Sequence, residues 1–201
     1  MRDPQGRPTP QAPQSRRPVT AFGPRLHPTP PAARVRLNYF KAGFILAVGL
    51  YGVVCAVNPK TYRFLDRVDL VFHEAGHLIF GLFGEFIGVL GGSLMQVLIP
   101  AIVTGYFILY NQRWSGMVTL FWVGQSLFNV SVYVKDARAQ ALPLLGGEDV
   151  THDWNWLLGR LHLLRWDQTL GNLVFFLGVL ALAISVAGGL YLSLEEQTVE
   201  E

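Results

Sequence analysis

The chain has 201 residues, 51% hydrophobic and only 15% charged, with a formal net charge of +2. A soluble domain of this size carries about 25% charged residues, so the composition points to a membrane protein. The small net charge gives no sign of a nucleic-acid partner, and the single cysteine, Cys55, excludes an internal disulfide and a cysteine-cluster metal site.

Residues 1–37 hold nine of the twelve prolines and seven arginines against one acid, Asp3. This tail has too little apolar surface to fold alone and is expected to be disordered. Its arginines, next to the first apolar run, predict a cytoplasmic N-terminus.

A helix needs roughly 20 apolar residues to cross the hydrocarbon core. Uncharged runs of 18, 27, 21 and 27 residues lie between Lys41 and Lys60, Glu85 and Arg113, Arg113 and Lys135, and Asp167 and Glu195. Each has the length of a span. A fifth candidate, about 68–90, is apolar but interrupted by Asp69, His73, Glu74, His77 and Glu85. Five spans put the acidic C-terminus on the side opposite the N-terminus. The stretch 83–96 has four glycines and reads as a re-entrant or irregular segment. In 136–168, the longest polar connection, Trp154, Trp156, Leu157, Leu161, Leu164 and Trp166 alternate with Arg160 and Arg165, the pattern of an interfacial helix. The expected fold is all-α and polytopic: a tail at 1–37, a transmembrane domain of about five helices at 38–194, and an acidic tail at 195–201.

The chemistry centres on "HEAGH", 73–77. Positions i and i+4 share a helix face, so His73 and His77 can offer two imidazoles to one ion. Glu74 is turned about 100° away and can act beside the ion without ligating it. This H-E-x-x-H arrangement suits zinc, which lowers the pKa of bound water to about 7, with the carboxylate as general base. A charged residue at the bilayer centre costs at least about 2.5 kcal/mol, so three such groups on one turn call for a cation to offset them.

HEAGH in a hydrophobic span resembles the site-2-protease type of intramembrane zinc metallopeptidase, the M50-like families. The resemblance implies hydrolysis of a peptide bond in or near the membrane, and a membrane-embedded or juxtamembrane protein as substrate. It also implies Zn2+ on the two histidines and on an aspartate from a later span, which in the family usually follows Asn and Pro and precedes Gly. Here Asn129 precedes Asp136 by seven residues, without that proline or glycine. Asp136 is the expected third ligand, and Asn129 a candidate to hydrogen-bond substrate backbone. His152, in the loop "GGEDVTHDW", is the alternative ligand, with Asp153 orienting an imidazole or capping the next helix.

The leading expectation is therefore a zinc endopeptidase. The alternatives are a non-catalytic metal-binding membrane protein, as scaffold or sensor, and a metal-dependent hydrolase of a non-peptide substrate.

Overall fold

In the computed structural model, the described residues are 5, 6, 33–143 and 151–198. Most of the arginine-rich tail, the "LLGGEDV" stretch and the last three residues lie outside them. The described residues form six α-helices and one pair of short strands: β1 (Ala33–Leu37), α1 (Tyr39–Val57), α2 (Phe64–Phe80), α3 (Glu85–Leu109), α4 (Arg113–Lys135), α5 (Asp153–Arg160), α6 (Asp167–Tyr191) and β2 (Leu194–Thr198). The fold is all-α, as the composition predicts.

Four helical stretches are long and apolar enough to cross a membrane: Tyr39–Val57, Glu85–Leu109, Arg113–Lys135 and Leu164–Tyr191. The expected fifth span is not among them. Its sequence, 68–90, breaks into the end of the 17-residue α2, a 3-10 turn at Gly81–Phe83, and the start of α3. The physical reason lies in the polar residues: Asp66, Asp69 and His73 are all buried on one face of α2. They follow one another at spacings of three and four, so they line up as a stripe.

The stretch 83–96 differs from expectation too. Instead of a re-entrant segment, it is continuous helix from Glu85 onward. Its glycines serve packing: a Cβ on Gly91 would meet Phe80 Cβ at 2.5 Å and Gly76 O at 2.7 Å. Small residues let α2 and α3 approach closely, the usual device where lipid removes the hydrophobic drive between helices. Gly124 and Gly178 do the same for α4 and α6, where a Cβ on Gly124 would lie 3.0 Å from Gly178 O.

β1 pairs antiparallel with β2 over Ala33–Leu37 and Leu194–Thr198. Asn38 caps α1 by accepting the Lys41 N–H, while the Asn38 amide and Lys41 Nζ both donate to Glu195 Oε1 at 3.1 and 2.8 Å. The inner margins of the two tails therefore meet at one end of the bundle, which an odd number of crossings does not allow. α6, 25 residues and about 37 Å long, separates that end from α5.

α5 closes the other end. Its own Leu157 and Leu158 are buried. Trp154 Nε1 donates to Ser93 Oγ on α3 at 3.0 Å, and Asn155 Nδ2 to Ala137 O, just past α4, at 2.8 Å. The predicted interfacial helix is thus eight residues long and docked onto the bundle rather than extending to Trp166.

Candidate metal centre

His73 and His77 lie on the α2 face that turns toward α3. Each imidazole is oriented through its Nδ1: His77 Nδ1 is 2.9 Å from Gly88 O, and His73 Nδ1 is 2.8 Å from Gln96 Oε1. A carbonyl oxygen only accepts, so both Nδ1 atoms carry the proton. Both Nε2 atoms are then free lone pairs in the neutral rings.

Those lone pairs meet a carboxylate. Asp153 Oδ2 lies 3.0 Å from His73 Nε2 and 3.2 Å from His77 Nε2. One donor atom from each of the three residues lies within 4.8 Å of the others. Three acceptors this close repel unless positive charge sits among them, as an added imidazole proton or as a metal cation. A tetrahedral zinc with bonds of about 2.0–2.1 Å spaces its ligand atoms by roughly 3.3 Å, close to the two distances from Asp153 Oδ2. The fourth wall is Gly92, where a Cβ would meet His77 Nε2 at 2.5 Å and His73 Nε2 at 2.6 Å. The donor chemistry, the committed Nδ1 protons and this cradle all fit a divalent metal ion.

Asp136, the expected third ligand, is engaged elsewhere. Its Oδ1 accepts the Ala141 N–H at 3.1 Å, and its Oδ2 the Leu142 N–H at 3.0 Å, so it organises the turn after α4. The same Oδ2 is 3.2 Å from His152 Nε2. His152 is not free to ligate either, because its Nδ1 accepts the Asn155 N–H at 3.2 Å and so caps α5. An imidazole thus takes the capping role expected of Asp153, which leaves the Asp153 side chain to face the α2 histidines. Helix counting from five spans sets the HEAGH end of α2 opposite Asp136; the structure instead brings α2, α5 and the end of α4 together.

The charges follow this geometry. Burial pushes the Asp153 carboxyl up, but the facing His73 and His77 rings, which can carry positive charge, outweigh it and hold the group below the ordinary carboxylate range. Burial pushes the His152 imidazole below its ordinary value, and its bond to Asp136 opposes this in part.

Glu74 is exposed on the flank of α2 that also carries exposed Val71 and Leu78. It follows His73 directly in α2 but is not one of the three residues whose donor atoms cluster. Asn129, expected to hold substrate, instead bridges Gln96 and Asp66.

Compared with protein-family models, curated proteins and solved structures, the chain matches none.

Three contributors escaped the sequence reading. Gln96 and Gly92 belong to the stretch 83–96, which reads as irregular or as apolar span and not as part of a site. Tyr133, whose hydroxyl oxygen accepts the Asp153 N–H at 3.2 Å and whose ring lies 5.7 Å from that of His73, reads as one more aromatic. Asp66 was legible in principle, since Asp66, Asp69, His73 and His77 fall on one helical face.

Proposed function

We propose that the protein is a multi-pass membrane zinc endopeptidase that cleaves a membrane-embedded or juxtamembrane segment of another protein. The observation that carries this reading is the approach of Asp153 Oδ2 to within 3.0 and 3.2 Å of the two HEAGH imidazoles. It supplies the third acceptor that two histidines need, from an element distant in sequence. His73, His77 and Asp153 would hold the metal, three protein donors being the number used by catalytic rather than structural zinc sites.

Zinc, when bound, supplies a water of pKa about 7 and polarises the scissile carbonyl. The chain's own residues do the rest. Gly88 O and Gln96 Oε1 hold the imidazoles in the tautomer that presents Nε2. Glu74 takes a proton from the attacking water at a carboxylate oxygen and delivers it to the leaving amine nitrogen. α5 covers the centre at one end of the bundle and limits access of bulk water. The exposed flank of α2, with Val71, Glu74 and Leu78, is the side from which an apolar substrate segment can reach Glu74.

In the bilayer, the four long helices cross the membrane and the arginine-rich tail keeps the paired strands on the cytoplasmic side. The metal centre then lies toward the opposite face, beneath α5.

The test is metal content and cleavage in wild type and Glu74→Gln, purified in lipid nanodiscs with a panel of single-span reporter substrates. The expected result is one zinc per chain in both proteins, with cleavage lowered about 10²- to 10⁴-fold in the variant. Zinc in both proteins with no cleavage by wild type supports the non-catalytic metal-binding alternative. Wild type without metal removes both readings.

A further inference from the structure

Behind His73, a line of side-chain amides crosses three helices and ends on a carboxylate. Gln96 Oε1 faces His73 Nδ1 at 2.8 Å; Gln96 Nε2 donates to Asn129 Oδ1 at 3.1 Å; Asn129 Nδ2 donates to Asp66 Oδ1 at 3.1 Å. Asp66 is 7% exposed and Gln96 3%. The same Asp66 Oδ1 accepts Gln125 Nε2 at 2.8 Å, and Oδ2 accepts the Arg63 N–H at 2.6 Å.

An amide's oxygen and nitrogen are nearly the same in shape, so a chain of amides can run in either direction. Its ends decide. A carboxylate only accepts, so Asn129 must turn its NH2 toward Asp66 and its oxygen toward Gln96. Gln96 must then give its NH2 to Asn129 and its oxygen to His73. His73 must put its proton on Nδ1. Each step follows from the one before, and the direction originates at Asp66, outside the metal centre and seven residues before His73.

We propose that Asp66 is a positioning residue that sets the tautomer of His73 through Asn129 and Gln96 and so keeps His73 Nε2 available as a metal ligand. The zinc arm of its test rests on the metal-binding part of the function proposed above; the tautomer arm does not. The logic predicts an inversion. In Asp66→Asn, the single side-chain oxygen keeps the Arg63 N–H and the new NH2 faces Asn129. Asn129 turns over, Gln96 turns over, and an NH2 now faces His73 Nδ1. The proton moves to Nε2, where it blocks the metal.

The experiment is nitrogen NMR of metal-free protein with labelled histidine at about pH 8, above the ordinary imidazole range, with zinc affinity measured in parallel. Wild type is expected to show His73 protonated on Nδ1, with the proton that faces Asp153 in the metal-free centre carried on His77 Nε2. Asp66→Asn is expected to shift His73 to the Nε2 form and weaken zinc binding about 10- to 100-fold, the usual loss when an outer partner of a ligand is removed. Asn129→Leu leaves the bond to Arg63 intact and cuts the line in the middle, so it keeps the test informative if Asp66→Asn fails to fold. It is expected to give a mixture of tautomers and a smaller loss of affinity. Asp69→Asn, a buried carboxylate on the same face that bonds Trp122 and Ser126 instead, is expected to leave the His73 tautomer unchanged. His73 remaining on Nδ1–H in the first two variants overturns the proposal, as does zinc affinity within twofold of wild type in both. Wild type that binds no zinc, yet inverts its tautomer in Asp66→Asn, overturns the peptidase reading and leaves this one standing.

Discussion

Gly92 and His77 stand so close that a Cβ on the glycine would lie 2.5 Å from His77 Nε2. The same carbon would lie 2.6 Å from His73 Nε2, so the absence of a side chain at one position of α3 shapes the space between the two imidazoles.

Gly92→Ala tests this with opposed effects. Helix propensity alone favours alanine by about 1 kcal/mol in a helix interior. Crowding of the two rings acts the other way and displaces the ligand atoms. We expect zinc affinity to fall at least about tenfold, a small loss for ligands moved off their geometry. Gly105→Ala, on the same helix with nothing within 4 Å of its added carbon, is the control and should be neutral or slightly stabilising. Isothermal titration with zinc and thermal melting separate the two effects.

Removal of Asp153 and of Asp136 should differ in kind. Asp153→Ala deletes the carboxylate that faces both imidazoles, so bound zinc should be lost from the purified protein. Asp136→Ala deletes the acceptor for Ala141, Leu142 and His152, which loosens the segment that carries Asp153. Zinc should remain at one per chain, with affinity weakened about 10- to 100-fold. Equal zinc loss in both variants would make Asp136 a ligand after all.

Acid should weaken the docking of α5 through His152. Burial lowers its folded pKa, so between that value and the ordinary imidazole value of about 6.5 the unfolded chain binds more protons than the folded one. Stability therefore rises with pH across that window. The contribution is complete above about pH 6.5 and is lost as pH falls through the lower folded value. Asp153 acts in the same direction but in a lower window, below the ordinary carboxylate value of about 3.9. The imidazole of His77, held above its ordinary value by Asp153, acts in the opposite sense but above about pH 6.5, so melting of the metal-free protein from pH 6.5 to 5 should show a falling transition temperature. His152→Asn keeps a capping oxygen and should flatten that slope.

Tyr133→Phe leaves the Asp153 N–H without its acceptor at a half-buried position. The cost is about 1–3 kcal/mol if that group stays dry. Faster amide exchange at Asp153 and its neighbours, with exchange in the α4–α6 pair unchanged, is the expected signature.

The sequence alone was enough for the all-α class and for two of the three side chains that meet at the candidate metal centre. Composition and the length of uncharged runs decide the helices, because an apolar run of span length has few other folded solutions. The spacing of His73 and His77 decides that they share a face, because helical periodicity is local. Interruption by Asp69 and His73 was legible as polarity but not as the shortening of α2, since the buried partners of those groups, Trp122, Ser126 and Gln96, come from other helices. The third acceptor was beyond local reasoning for the same reason. Asp136, His152 and Asp153 lie within 18 residues and look interchangeable along the chain. Their roles are assigned by three-dimensional placement: Asp136 is saturated by backbone N–H groups, His152 caps α5, and Asp153, one residue further on, is turned toward α2. A one-residue step at a helix start rotates a side chain by about 100°, and only the docking of α5 on α3 and α4 fixes which of them points inward.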